Sequence, residues 1–149
     1  MYFLEGILKD IQSLLETNTS GVTVYRDPYI DPSCDRAGGY FTWDFTCSGH
    51  LECSDHTTNV IEGTLDVVAY CTSRTTRIAL LEDIEDILFP VIEGYRTSIA
   101  PKNLANSFLQ QCVRESVFEV FSDKLGHPFP ETPGLMLPIY TKFSYSYTG

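Results

Sequence analysis

From Tyr40 to Cys47 the chain alternates without a break: Phe41, Trp43, Phe45 and Cys47 face one way, and Tyr40, Thr42, Asp44 and Thr46 the other. Successive side chains of an extended backbone point to opposite faces, so this period of two predicts a strand with one buried face. Ile61, Gly63, Leu65, Val67, Ala69 and Cys71 repeat the pattern against Glu62, Thr64 and Asp66. Joined through the polar stretch Ser48 to Asn59, the two segments predict an antiparallel pair. The remainder of the chain then has to cover their common apolar face.

Leu4, Ile7, Leu8, Ile11, Leu14 and Leu15 recur at helical spacing with Glu5, Lys9, Asp10 and Glu16 between them, which predicts an amphipathic helix over about residues 3–16. Val22 and Val24 alternate with Thr23 and Tyr25 as a short strand, and the Asp27-Pro28, Asp31-Pro32 and Gly38-Gly39 pairs mark residues 27–39 as a loop. A second helix carries Leu80, Leu81, Ile84, Ile87 and Leu88 on its apolar stripe and Glu82, Asp83, Glu85 and Asp86 on its wet face. Ser73, Thr75 or Thr76 caps its start and Pro90 resists its continuation. A third helix is expected over 102–122, started by Pro101, with Leu104, Phe108, Leu109, Cys112, Val113, Val117, Val120 and Phe121 as apolar positions. After the loop His127-Pro128-Phe129-Pro130, Ile139, Thr141, Phe143, Tyr145 and Tyr147 alternate with Tyr140, Lys142, Ser144 and Ser146 as an aromatic strand that belongs inside a sheet. The expected fold is therefore α+β: a mostly antiparallel sheet of about four strands, with the N-terminal helix and two further helices packed on one face.

At 149 residues the chain has the size of a single domain, 1–149, able to bury a core without metals or disulfides. Nine Tyr, nine Phe and Trp43 argue against disorder. Twenty acidic residues against ten basic ones give a formal charge of −10, which disfavours sequence-independent binding to phosphate backbones. No apolar run approaches the roughly 20 residues that span a bilayer, and the N-terminus lacks the pattern of a signal peptide, so no membrane partner and no export are expected. Five cysteines, Cys34, Cys47, Cys53, Cys71 and Cys112, are odd in number and scattered, which fits reduced thiols and synthesis in a cytoplasm.

One constellation has the donor set of a metal site: Cys47, His50, Cys53 and His56, four potential zinc ligands within ten residues. Zinc takes four tetrahedral N and S donors, but fingers separate their ligand pairs by a dozen or more residues so as to staple two elements together. A polar hairpin connection is the plainer reading of that stretch. Ser48-Gly49-His50 and Asp55-His56 lack the G-x-S-x-G elbow of a hydrolase, and no phosphate-cradling loop is present. Glu82, Asp83, Glu85 and Asp86 read as a solvated helix face, and the aromatic strand, with only Lys142 beside it, reads as core and not as a base-stacking groove. No catalytic residue and no cofactor is nominated, and the chain is expected not to be an enzyme.

The order of elements resembles the tail terminator or tail completion proteins of long-tailed bacteriophages. The resemblance lies in the amphipathic helix Leu4 to Leu15, in the strand Gly63 to Cys71 running into the helix Ile78 to Phe89-Pro90-Val91-Ile92, and in the aromatic strand Ile139 to Tyr147. It covers about two-thirds of the chain as a pattern. The helix 102–122 is longer than in the simplest members, and the loop 48–59 has no counterpart there. The resemblance implies a structural neck or head–tail joining protein of the virion, assembled in the host bacterial cytoplasm. Its subunits would form a ring, typically of six, on the tail tube protein, stop tube polymerisation and meet the head–tail connector protein. DNA would pass through without specific binding, past a wall of like charge. Loops 27–39, 48–59 and 126–138 are the expected contacts. Another head–tail connector component, a small zinc-binding domain or enzyme built on the 47–56 cluster, and a monomeric adaptor are the competing readings.

Overall fold

The two alternating segments pair as their pattern requires, and each runs further than the alternation does. A computed structural model describes residues 2–19, 22–26, 39–52, 57–71, 73–89, 91–92, 95–96, 101–122 and 134–146. In chain order its elements are α1 (Tyr2–Asn18), β1 (Thr23–Arg26), β2 (Tyr40–Glu52), β3 (Thr58–Tyr70), α2 (Arg74–Leu88), β4 (Val91–Ile92), β5 (Tyr95–Arg96), β6 (Lys102–Asn103), β7 (Phe108–Arg114), β8 (Phe118–Val120) and β9 (Gly134–Ser146). Strands β2 and β3 are antiparallel from Tyr40 opposite Tyr70 to Glu52 opposite Asn59, so residues 48–52 and 58–59, expected in a loop, are strand.

The sheet has seven strands, not about four. Its order is β1-β2-β3-β9-β7-β6, with β8 also paired to β9, and it is mixed because β1 lies parallel to β2. Strand β9 is central. Twelve of its residues, Leu135 to Ser146, pair with β3 on one side; on the other, Ile139–Ser144 pair with β7 and Gly134–Met136 with β8.

The helix expected over 102–122 is absent, and β6, β7 and β8 stand in its place. A bulge between Leu109 and Gln111 is the cause of the misreading. One extra residue on the bulged strand turns a step of two into a step of three. Buried Leu109 and Cys112 are consequently three apart, the spacing of a helix face, although the backbone is extended. The Val and Phe residues of 113–121 suit a pleated surface at least as well as a helix. The α+β description with three helices is thus replaced by a mostly β sheet with two helices among the described residues.

Both helices cover the same face of the sheet. Ile7, Ile11 and Leu15 of α1 and Leu80, Leu81, Ile84 and Leu88 of α2 share one buried cluster with Phe41, Trp43, Ile61, Leu65, Val67, Leu137, Ile139 and Phe143. Burying each large aliphatic or aromatic side chain contributes about 1.5–3 kcal/mol, so this cluster supplies the main drive to fold. The opposite face carries a smaller cluster in which Tyr40 stacks on Tyr70 at 4.9 Å beside Val68.

Directed polar contacts fix how the helices lie. Gln12 of α1 accepts from the Trp43 indole at 2.5 Å and donates to the Val24 carbonyl at 3.0 Å, which ties the helix to β2 and to the edge strand β1. Buried Asp10 accepts from the Asn106 backbone N–H and amide and from the Ser107 hydroxyl, and so holds the turn between β6 and β7 under α1. At α2, Ser73 is the N-cap and its hydroxyl accepts from Thr76 N–H. Glu85 does not join the wet face with Glu82, Asp83 and Asp86. It turns inward and pairs with Arg114 of β7 at 2.9 Å, while Arg74 pairs with Glu119 of β8 at 2.7 Å.

Two glycines mark close approaches. Gly39 has φ +81°, a conformation that side chains rarely adopt, and a Cβ there would meet Leu80 Cδ1 at 2.7 Å. At Gly63 a Cβ would lie 2.4 Å from the Thr46 carbonyl oxygen and 2.5 Å from the Phe45 ring. Gly63→Ala should therefore cost about 1–3 kcal/mol by overpacking, seen as a lower urea midpoint at unchanged slope; an unchanged midpoint would contradict that packing.

Candidate functional site

The hairpin of β2 and β3 projects past β1 as an arm. Strand β1 lies against β2 only from Tyr40 to Trp43, and no strand among the described residues lies along the outer side of Phe45–Leu51. A bulge between Cys47 and Gly49 interrupts the ladder there and bends the strand. Beyond it Leu51 sits opposite Val60, on the face away from the helices, with 64% of its surface exposed.

The four potential zinc ligands map onto this arm and its tip. Cys47 and His50 stand opposite Gly63 and Ile61, so the bulge leaves them on one face of β2. The Cys47 thiol donates to the Gly49 carbonyl at 3.5 Å. His50 Nε2 lies 2.6 Å from the side-chain amide of Asn59, within hydrogen-bond distance across the hairpin. Cys53 and His56 lie outside the described residues, as does Asp55. Among the described residues no three His, Cys, Asp or Glu side chains come together as a metal would require. Of the expected contact loops, 27–38, 53–56 and 126–133 also lie outside them, whereas 134–138 belong to β9.

On the aromatic strand, Phe143 is buried and meets Phe45 edge-on at 5.7 Å. Lys142 pairs with Glu62 at 3.1 Å, and the Tyr140 hydroxyl donates to the same carboxylate at 2.5 Å. The tyrosine hydrogen bond first, and then the lysine, hold the Glu62 carboxyl below its ordinary range; the same bond raises the tyrosine. Tyr140→Phe should move the Glu62 titration upward toward its ordinary value, measurable by NMR of the side-chain carboxyl. No movement would show that the hydroxyl does not reach the carboxylate in solution.

The far edge of the sheet was not legible as a surface. Along Gln110–Arg114 and Phe118–Val120 no strand among the described residues lies outside β7 and β8. Val117, Phe118 and Phe121 are 44%, 47% and 66% exposed there. Phe118, opposite Met136, faces away from the helices, as Leu51 does at the other edge. Single exposed apolar residues are ordinary; here three lie within five positions beside a strand edge left open among the described residues. The alternation Phe118-Glu119-Val120 was the available signal, masked by the helical reading of the whole stretch.

No protein-family model matches the chain, and no curated protein matches it. Among solved structures, a chain from the virion of native gene transfer agent (GTA) particle aligns with 93% of this chain and 85% of its own, at 15% identity and a TM-score of 0.42. A likeness of that degree defines neither the fold nor the function.

Thiol chemistry reports on this arrangement. Cys47 is exposed, whereas Cys71 and Cys112 are buried, and burial pushes the Cys112 thiol up to about 12. At pH 8 iodoacetamide should label Cys47 in the folded protein, and Cys71 and Cys112 only after denaturation, as read by peptide mass mapping. Fast labelling of Cys112 in the native state would contradict the placement of β7.

Proposed function

We propose that the chain is a structural subunit of a long-tailed, phage-type virion. It closes into a ring, typically of six, on the last ring of the tail tube, ends tube polymerisation and presents a surface to the head–tail connector protein. The observation that carries this reading is the unit in which β3 passes through Cys71 directly into α2 and packs against a central aromatic strand. These are the elements on which the sequence resemblance rests. The work of such a subunit is mechanical and breaks no bond.

Two features suit that work. A closed ring needs a head-to-tail interface made by two different surfaces of one subunit. The arm at one edge of the sheet and the apolar β7–β8 edge at the other are two such surfaces. The formal charge of −10 keeps phosphates from adhering to a channel wall, so DNA slides through unbound.

Native mass spectrometry of the purified protein, with and without a strong chelator and then with isolated tail tubes, tests the proposal. A closed oligomer indifferent to chelation that caps tube ends is expected. A monomer that stays monomeric at all concentrations and leaves the tubes growing would overturn the ring. Loss of structure on chelation would instead move the 47–56 cluster to the centre.

A further inference from the structure

We propose that β1 is a latched edge strand, which leaves the sheet and returns while the rest of the fold stays intact, and that Gln12 is its latch. Release of β1 lengthens the open edge of β2. The inference does not depend on the ring reading above.

Little holds β1 in place. Its four residues, Thr23–Arg26, pair only with β2, at the end of the sheet order, and the pair is parallel, the less stable kind of ladder per residue. Val24 is buried and Tyr25 half-buried, whereas Thr23 and Arg26 are exposed. Toward the helix a cleft of about 370 Å³ opens between α1 and β1, lined by Leu8, Ser13 and Glu16 on one side and by Val24 and Arg26 on the other. Packing therefore does not seal the strand to the helix above it. By contrast β3 is paired on both sides along its length. Segments with few buried apolar contacts and exposed backbone open first, well below the free energy of global unfolding.

Gln12 bridges the cleft, and chemistry fixes which way its amide lies. The Trp43 indole N–H can only donate, so it is the Gln12 oxygen that faces it, at 2.5 Å. The amide nitrogen is left to the other side, where it donates to the Val24 carbonyl at 3.0 Å and to the Glu16 carboxylate at 2.6 Å. One side chain of α1 thus grips the buried Trp43 with one atom and the edge strand with another. The remaining attachment of β1, Tyr25 edge-on against Tyr40 at 5.9 Å, lies on the opposite face of the sheet.

Strand β2 is thirteen residues long, and β1 covers only Tyr40–Trp43. With β1 seated, the outer edge of β2 that no described strand covers begins at Asp44; with β1 released, it begins at Tyr40. The Gln12 contact thereby sets how much of that edge is open.

Native-state hydrogen exchange of the full chain, followed by peptide mass spectrometry over low urea concentrations, tests the proposal. Peptides covering 40–43 give the stringent reading, because the β2 amides that face β1 are protected by it alone. These and peptides of 22–26 should exchange at least tenfold faster than β3 and β9, with little dependence on urea, whereas β3 and β9 exchange only on global unfolding. Gln12→Glu keeps an acceptor for Trp43 but has no donor for the Val24 carbonyl, so it should speed exchange of 22–26 and 40–43 by roughly two- to tenfold, the value of one net hydrogen bond. If Gln12→Glu does not fold, Gln12→Met, which adds no charge, takes its place. Exchange of 22–26 and 40–43 in step with β3 and β9, at the same urea slope, would overturn the separate opening of β1. Local opening that neither variant accelerates, while Val24→Ala does, would overturn Gln12 as the latch.

Discussion

The pairing of β3 with β9 is the interaction on which the other contacts depend. Twelve consecutive residue pairs join them, and each strand contributes alternate apolar side chains to the layer beneath the helices. Neither helix could be held without that layer, since α1 and α2 are amphipathic and gain their stability by burying one stripe. The polar ties are secondary in energy but decisive in placement. Gln12 and Asp10 set where α1 lies, and Glu85 with Arg114 sets where α2 lies relative to the far edge. Each such bond contributes about 0.5–3 kcal/mol net, yet leaving a buried Asp10 without its donors would cost its full desolvation.

A seven-stranded mixed sheet with both described helices on one side leaves two exposed resources, its bare face and its edges. Here the bare face is partly occupied by the Tyr40, Val68 and Tyr70 cluster and by the Glu62, Tyr140 and Lys142 ladder. What remains for partners is the margin. Protein edges are usually blunted with charge or proline to prevent uncontrolled addition. At β1 the Gln12 amide donates to the Val24 carbonyl, whereas Phe118 of β8 and Phe121 just after it stay bare.

Period-two alternation made β2, β3 and β9 readable, and the capped, acidic-faced stripe did the same for α2. Over most of their length one face is buried and the other is not, so the alternation stays clean even though β2 and β3 are buried on both faces at Tyr40–Trp43 and Val67–Tyr70. The stretch 102–122 was not readable for a specific reason: the bulge at Leu109 and Gln111 changes the spacing of buried residues from two to three. Glu85 was misplaced because its partner, Arg114, is 29 residues away, and no local pattern shows that a carboxylate in an acidic run has a cation waiting across the core. The same non-locality hid the exposed apolar edge. Val117, Phe118 and Phe121 are apolar in any reading, and only the sheet order shows that nothing among the described residues stands outside them.

The position of β9 has a consequence for synthesis. The central strand is drawn from far downstream of the hairpin it completes, with α2 and three strand segments of the same sheet made in between. While the ribosome is still producing residues 71–133, the inner side of β3 is a bare, apolar ladder with no mate. A nascent chain in that state must keep its hairpin from pairing with a neighbouring polypeptide, and non-local pairing of this kind is slow. Closure of the sheet therefore waits on Gly134 to Ser146, the segment that gives β3, β7 and β8 their common partner.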